Sequence, residues 1–233
     1  MKRDIKKFIG VIIASAVTLG AGAVFGGCGL FTKNVSTFDQ LKEASGKVKL
    51  TADIDCGYET IKAIECDSFD GQGYTIKNCV VSANSISDIA ALFKAAEVKN
   101  LTLDNITVTG NASYGVGIVS DGYSKKIENV HVKNSNVSGV QAYYGNGAGR
   151  GVQEIYLGAI YGGAYYYDKT GAIEKNFDCE ITNCSVENTK VEVKKSSRET
   201  VRNNMYVGGI AGAANKITGC CVKDCKISAQ SAD

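Results

Sequence analysis

A twelve-residue pattern dominates this chain, and its clearest copy reads ITNCSVENTKVE from Ile181 to Glu192. Four further copies align with it and begin at Ile76, Val98, Ile127 and Ile217. Positions one, six and eleven are aliphatic in all five copies, whereas position five varies freely (Val80, Thr102, His131, Ser185, Cys221). Alternation with a period of two is typical of a β-strand with one buried face. The pattern therefore predicts short strands that stack on one another.

Two other positions of the repeat carry residues that favour corners between strands. Position three is Asn78, Asn100, Asn129, Asn183 and Gly219, and position eight is Ala83, Asn105, Asn134, Asn188 and Asp224. Asn, Asp and Gly tolerate left-handed backbone and form local turns. We expect the Asn side chains of successive copies to stack and to hydrogen-bond along one axis.

A second, Gly-rich apolar segment precedes some of the copies. It occurs at 115–120, 157–162 and 207–212, with a looser version at 89–94. The main copies start 22, 29, 54 and 36 residues apart, so loops of unequal length project from a constant core. The apolar spacing of three and four that a helical repeat needs is missing. We predict an all-β fold, a right-handed parallel β-helix in which each coil holds about three short strands.

The two ends of this solenoid differ in sequence. Residues 36–44 form the best helix candidate, with Ser36 or Thr37 as N-cap, and a short capping helix there would cover the first coil. After Ile227 no cap is evident, so either the tail 229–233 folds back or the last coil lies open.

The N-terminus has the layout of an export signal. Residues 2–7 are basic, and an uncharged run extends from Phe8 to Gly27. Residues 25–28, Phe-Gly-Gly-Cys, resemble a bacterial lipobox, so we assign residues 1–27 to a lipoprotein-type signal peptide and lipid attachment to Cys28. Cleavage near Ala23 with free secretion and an uncleaved membrane anchor are the alternatives. Residues 28–35 are then a tether, and residues 36–233 form the β-helix domain.

Charge gives no reason to expect a nucleic-acid partner. The first 27 residues hold four of the 26 basic residues and one of the 24 acidic residues, so the remainder is nearly neutral. The basic surface that binds phosphate backbones is therefore missing from the sequence.

Three stretches carry a resemblance to a known family. They are 69–78 (FDGQGYTIKN), the strand at 207–212 (VGGIAG) and the Ile-x-Asn-x-x-Val units. Over roughly residues 36–228 the chain resembles exported bacterial right-handed β-helix proteins with GLUG repeats, and residues 209–212 come close to their Gly-Leu-x-Gly core. The resemblance implies a surface-exposed, adhesin-like protein and supplies no catalytic residues.

The nine Cys do not form a metal-ligand pattern. Cys79, Cys184 and Cys220 share position four with Leu101 and Val130, which predicts core packing. Neither Cys179-x4-Cys184 nor the group at 220–225 has paired CxxC spacing or a nearby His, so we predict no metal site and no cofactor. Strands of neighbouring coils lie about 4.8 Å apart. A Cys184–Cys220 disulfide and a reduced Cys ladder therefore both remain open.

Candidate catalytic groups are sparse. His131, the single His, is expected to be a surface residue, since no motif supplies a nucleophile beside it. Asp53, Asp55, Asp67 and Asp70 are the acidic candidates for a polysaccharide lyase or glycoside hydrolase. The sequence at Asp70 reads more simply as a turn.

A Tyr- and Gly-rich insert at about 140–177 departs most from the repeat, and it holds seven of the twelve Tyr. Exposed Tyr on Gly-flexed loops offers amphipathic contact area for sugars or proteins. We assign ligand binding to six residues of this insert: Tyr143, Tyr144, Arg150, Tyr165, Tyr166 and Tyr167. The alternative is that the rings merely cover the flank of the solenoid, and Tyr161 is the candidate for that role.

These observations predict a monomeric lipoprotein that is held at the extracellular face of the cell membrane and binds a glycan or an extracellular protein. A carbohydrate-active enzyme on the same fold and a passive structural spacer are the alternatives.

Overall fold

The computed structural model of the protein describes residues 32–85, 87–141, 153–167, 172–194 and 203–230. The described chain is all-β, and its strands stack in parallel as six successive layers. The first two layers contain β2 (Lys47–Leu50), β3 (Ile54–Asp55), β4 (Thr60–Ile61) and β5 (Ile64–Glu65), then β6 (Ser68–Asp70), β7 (Thr75–Lys77), β8 (Val80–Ala83) and β9 (Phe93–Lys94).

The middle layers have longer strands. The third contains β10 (Glu97–Asp104), β11 (Thr107–Ser113) and β12 (Gly115–Gly117), and the fourth contains β13 (Lys126–Lys133), β14 (Asn136–Gln141) and β15 (Gln153–Gly158). An antiparallel hairpin, β16 (Ala164–Tyr167) and β17 (Ala172–Lys175), projects after the fourth layer.

The last two layers complete the stack. The fifth contains β18 (Glu180–Thr182), β19 (Ser185–Glu187), β20 (Lys190–Lys194) and β21 (Asn203–Gly208), and the sixth contains β22 (Lys216–Thr218), β23 (Cys221–Lys223) and β24 (Lys226–Ala229). Before the first layer lie β1 (Thr32–Val35), which pairs with β2, and the helix α1 (Phe38–Lys42). Thr37 caps this helix by accepting a hydrogen bond from the Gln40 backbone N–H.

Equivalent strands pair in register, so aliphatic side chains form columns that run through the stack. One column contains Val48, Phe69, Val98, Ile127, Ile181 and Ile217. Others contain Ile76, Leu103, Val132, Val186 and Val222, and then Val81, Val108, Val137, Val191 and Ile227. These columns confirm the predicted alignment of the copies that begin at Val98, Ile127, Ile181 and Ile217. They are consistent with a solenoid.

The predicted alignment of the copy at Ile76 was wrong. Ile76 pairs with Leu103, which is position six of the next copy, and Phe69 takes position one. The cause is that the copies at Val98, Ile127 and Ile181 contain the pattern aliphatic-x-Asn-x-x-aliphatic twice, five residues apart. Residues 76–81 match both halves, and only the strand pairing selects one of them.

The corner residues form two hydrogen-bonded ladders. All of the corner Asn from Asn78 to Asn188 have positive φ, between 45° and 57°. In one ladder the Asn105 amide donates to Asn78 at 2.7 Å and the Asn188 amide donates to Asn134 at 2.8 Å. In the other, the Asn129 amide donates to Asn100 at 3.0 Å. In these three pairs the corner Asn of one layer accepts the hydrogen bond that the corner Asn of the next layer donates, whereas the Asn134 amide donates to Asp104 at 2.8 Å.

Candidate ligand-binding face

The structure describes few of the ligand-binding residues that the sequence predicts. Tyr143, Tyr144 and Arg150 lie outside the described residues, as does the predicted lipid attachment site Cys28. Tyr165, Tyr166 and Tyr167 form the backbone of β16, which pairs antiparallel with β17. Their side chains are not among those described, so their role stays a prediction.

An aromatic cluster lies on the sheet formed by β12, β15 and β21, and one of its residues follows this hairpin in the chain. In-register pairing of β15 with β21 places Tyr156 directly over Tyr206. The two rings are parallel within 4° with centroids 4.6 Å apart, and the Phe177 ring meets Tyr156 at 5.4 Å. Tyr156 is only 4% exposed, whereas Tyr206 is 40% and Phe177 is 38% exposed. The cluster therefore presents two open rings on a buried one. We call Tyr156, Phe177 and Tyr206 the aromatic face.

Charged groups border the aromatic face at one edge. The Tyr156 hydroxyl donates to Glu154 Oε2 at 2.9 Å, and Lys175 forms an ion pair with the same carboxylate. The Lys175 ammonium and the Tyr156 hydroxyl hold the pKa of Glu154 below its usual range, although partial burial opposes them. Burial, followed by the hydrogen bond to Glu154, raises the pKa of Tyr156. At neutral pH this edge therefore combines a carboxylate, an ammonium and a phenol.

Hydrogen bonds of Tyr161 and Asn176 hold the core near this face. Tyr161 is fully buried, and its hydroxyl hydrogen-bonds to the carbonyls of Gly122 at 2.9 Å and Asn176 at 2.7 Å. The Asn176 amide also donates to the Gly122 carbonyl at 2.9 Å. Because Asn176 precedes Phe177, these bonds fix the chain that carries one of the exposed rings. Tyr161 thus lies in the core, deeper than the flank-covering role that the sequence suggested for it.

The aromatic face was not singled out by sequence reasoning. Tyr156 counted only as one of seven insert tyrosines, and Tyr206 lies 50 residues further along the chain. One signal was available in the sequence. A Tyr directly precedes both the segment that begins at Leu157 and the segment that begins at Val207, and residues at the same position in neighbouring layers lie over each other.

The four acidic candidates form hydrogen bonds within the stack. Asp53 accepts from the Thr75 backbone N–H, and Asp70 accepts from Gln72 N–H and from the Asn100 amide. Asp55 accepts from Gly57 N–H and the Asn78 amide, and these bonds lower its pKa. Asp67 contributes strand-to-strand backbone bonds. The pKa of Asp70 is also lowered, so Asp55 and Asp70 stay ionised, which disfavours these two as general acids.

The cysteines divide into one disulfide and several thiols. Cys56 and Cys79 are bonded with their Cα atoms 5.1 Å apart. Asn78 occupies the same corner as Asn105, so Cys79 is equivalent to Ile106 and its predicted equivalence to Leu101 was wrong, although Cys79 is buried. Cys184 and Cys220 are free thiols in neighbouring layers, and the Cys184 N–H meets Cys220 Sγ at 3.4 Å. Burial raises the pKa of the Cys184 thiol to about 12.

The only histidine, His131, lies half-buried with its Nδ1 2.8 Å from Ser185 Oγ. Within the described ranges, no group of three or more His, Cys, Asp or Glu is arranged to hold a metal ion. In that same part of the chain, no helix has the length and apolar character needed to cross a membrane.

Comparisons with known proteins give little further information. No protein-family model matches the chain, and no curated protein matches it. Among solved structures the chain is similar to a candidate immunoglobulin A1 protease from Bacteroides ovatus. The similarity covers 86% of this chain and 77% of that chain, with 16% identity and a TM-score of 0.42. A similarity this low carries no argument about function.

Proposed function

We propose that this protein is an adhesin-like binding protein whose aromatic face holds a glycan. The observation that carries the proposal is the pair of exposed rings, Tyr206 and Phe177, which both rest on the buried Tyr156. Sugar rings present C–H groups that stack on aromatic faces, and their hydroxyls need polar partners at the rim. Glu154 and Lys175 supply acceptor and donor groups at that rim.

The scaffold suits this role because it fixes the positions of two of the three rings. Tyr156 and Tyr206 belong to neighbouring parallel strands whose backbones hydrogen-bond over six residues each. A preorganised surface loses little conformational entropy when it binds. We propose that the stack is a closed right-handed β-helix and that α1 caps its first layer, where Leu41 is buried and Phe38 packs on the core.

We further propose that the protein is exported and tethered by a lipid on Cys28, with the aromatic face held away from the membrane. The support is the basic, apolar and small-residue layout of residues 1–28. The test is mass spectrometry of the membrane fraction, where the N-terminal peptide should begin at a modified Cys28. Release of the Cys28→Ser variant into the medium would agree, and an unmodified Met1 peptide would contradict the proposal.

Glycan binding is tested with the purified protein on an array of polysaccharides and glycoproteins. The Phe177→Ala/Tyr206→Ala variant should bind about tenfold more weakly or worse, because two stacking contacts are lost. Tyr74→Ala, which removes an exposed ring from another side of the stack, is the matched control and should bind normally.

Three outcomes would argue against this function. Equal binding by the double variant and the wild type would place the ligand elsewhere, and the Tyr165→Ser/Tyr166→Ser/Tyr167→Ser variant would then test the hairpin. Cleavage products in the retained fractions would favour a carbohydrate-active enzyme. Absence of retention across the whole array would favour a passive spacer.

A further inference from the structure

The sixth layer leaves its inward side chains open. Ile217 is 48% exposed, Val222 is 42% and Ile227 is 47%, whereas their partners Ile181, Val186 and Val191 in the fifth layer are fully buried. Three aliphatic side chains at the ends of three aligned core columns form a contiguous apolar surface. Exposed clusters of this kind mark sites of interaction.

On the side away from the fifth layer, the backbone of the sixth layer pairs with no described strand. Within the described residues, β22, β23 and β24 each pair with one strand, namely β18, β19 and β20. Their other edges carry N–H and C=O groups that no described strand uses. An unprotected parallel edge is a template for the addition of another strand.

Charge on the outer surface specifies what would pair there. One outward column reads Asp55, Lys77, Asp104, Lys133, Glu187 and Lys223, so the sign alternates at every layer. Its members form ion pairs at 3.3 Å (Lys77–Asp55), 3.3 Å (Lys133–Asp104) and 3.0 Å (Lys223–Glu187). A second column alternates from Glu97 through Lys126 and Glu180 to Lys216. Both columns end on a lysine.

We infer that this edge is a docking site for an extended segment of a partner protein, which adds in parallel along β22 and β23. The segment carries aliphatic residues opposite Ile217 and Val222 and acidic residues opposite Lys216 and Lys223. It joins the stack as a seventh layer and continues both the apolar and the charge columns. This interaction is independent of glycan binding, because Tyr156 and Tyr206 of the aromatic face lie on β15 and β21, and Phe177 lies between β17 and β18.

The first layers of a second copy do not fit the same edge. In the parallel register, β1 would be the pairing strand, and Lys33 occupies the column of Val48 and Ile217. Docking would therefore place a lysine on Ile217 and leave Lys216 opposite Thr32. An inward-pointing charge on an edge strand is a common protection against such pairing.

The chain itself supplies a probe for the test. Residues 180–187 (EITNCSVE) pair with β22 and β23 from the fifth layer and contain Glu180 and Glu187 at the required positions. A labelled peptide of this sequence with Cys184→Ser should bind the full-length protein in low salt, and it should slow amide exchange in β22 and β23. The matched peptide with Glu180→Lys and Glu187→Lys should bind about tenfold more weakly, because two ion pairs become repulsive.

Reciprocal variants make the result decisive. The Lys216→Glu/Lys223→Glu protein should prefer the lysine peptide, and Ile217→Lys should abolish binding of both peptides. All three positions are exposed, so the variants should fold, which urea unfolding checks. Three results would overturn the inference: no slowed exchange at saturating peptide, equal binding of the two peptides, or a self-associated wild type that Ile217→Lys converts to monomer.

Discussion

At the N-terminal end of the stack, β1 pairs with the first layer and Leu41 of α1 is buried in the core, whereas at the C-terminal end the inward side chains of Ile217 and Val222 are nearly half exposed. The two ends of the described stack therefore differ in how far their aliphatic side chains are covered. At the first end Lys33 takes the place of an aliphatic residue beside Val48, and its ammonium donates to the Glu43 carbonyl at 2.7 Å. At the second the columns stop at exposed aliphatic side chains.

This difference shows that the same position of the repeat contributes different amounts to the free energy of unfolding in different layers. A side chain in the middle of a stack is covered by neighbours from both sides, whereas the same side chain in the last layer is covered from one side only. Stability in such arrays is approximately a sum of the layers and of the contacts between nearest neighbours. The predictions below test this view with pairs of equivalent positions.

The largest effect is expected in the apolar columns. Ile127→Ala removes a fully buried side chain from the fourth layer and should lower the free energy of unfolding by about 2–5 kcal/mol. Ile217→Ala, in the same column of the sixth layer, should cost only about 1 kcal/mol. Urea unfolding followed by circular dichroism measures both. Equal losses would show that the last layer is covered in solution.

The interior also contains a buried carboxylate with an unusual pH response. Asp121 is almost completely buried, its Oδ1 has no hydrogen-bond partner among the described residues, and burial raises its pKa to about 7. Because the folded pKa exceeds the unfolded value, ionisation opposes folding, and stability falls as the pH rises from about 4 to about 8 by roughly 4 kcal/mol. Asp121→Asn should remove that decline, which thermal unfolding across this pH range will show.

Asp55, on an exposed ladder at the N-terminal end, provides the opposite control. The Gly57 N–H and the Asn78 amide lower the pKa of Asp55, so its ionised form stabilises the fold above about pH 4 and this contribution disappears below it. Asp55→Asn should therefore destabilise the protein at neutral pH and have little effect in acid. Parallel shifts for the two variants would show that Asp121 is not held neutral by burial.

A smaller effect is expected at the corners. Asn105 has a φ of 56° and donates to Asn78 and to the Tyr58 hydroxyl, so Asn105→Ala should cost about 2 kcal/mol through lost hydrogen bonds and left-handed strain. Asp224 takes the equivalent corner of the sixth layer at a φ of 52°. There Asp224→Ala should cost about 1 kcal/mol, mainly from the strain, because the ion pair between Asp224 and Lys223 at 3.6 Å is solvent-exposed and contributes little. The same urea titrations measure the pair, and a cost for Asp224→Ala equal to that of Asn105→Ala would argue for a hidden partner at this end.

Sequence reasoning predicted most of the architecture but not its register throughout. The period of two identified the strands, and recurrent Asn identified the corners, because both signals are local. The copy at Ile76 was misaligned, since its residues satisfy both halves of the repeat, and the disulfide partner Cys56 was missed with it. The predicted binding residues Tyr143, Tyr144 and Arg150 stay predictions, as does lipidation at Cys28.

Local patterns were sufficient to predict an all-β chain of short strands with apolar columns and polar corners, because each of these features depends on residues a few positions apart. The pairing of the strands became evident only in the folded chain, and with it the stacking of Tyr156 on Tyr206 and the position of Lys216 and Lys223 at the ends of two alternating charge columns. These contacts join residues 36 to 50 positions apart. Their register depends on loops of unequal length and on hydrogen bonds between layers, which no local pattern records.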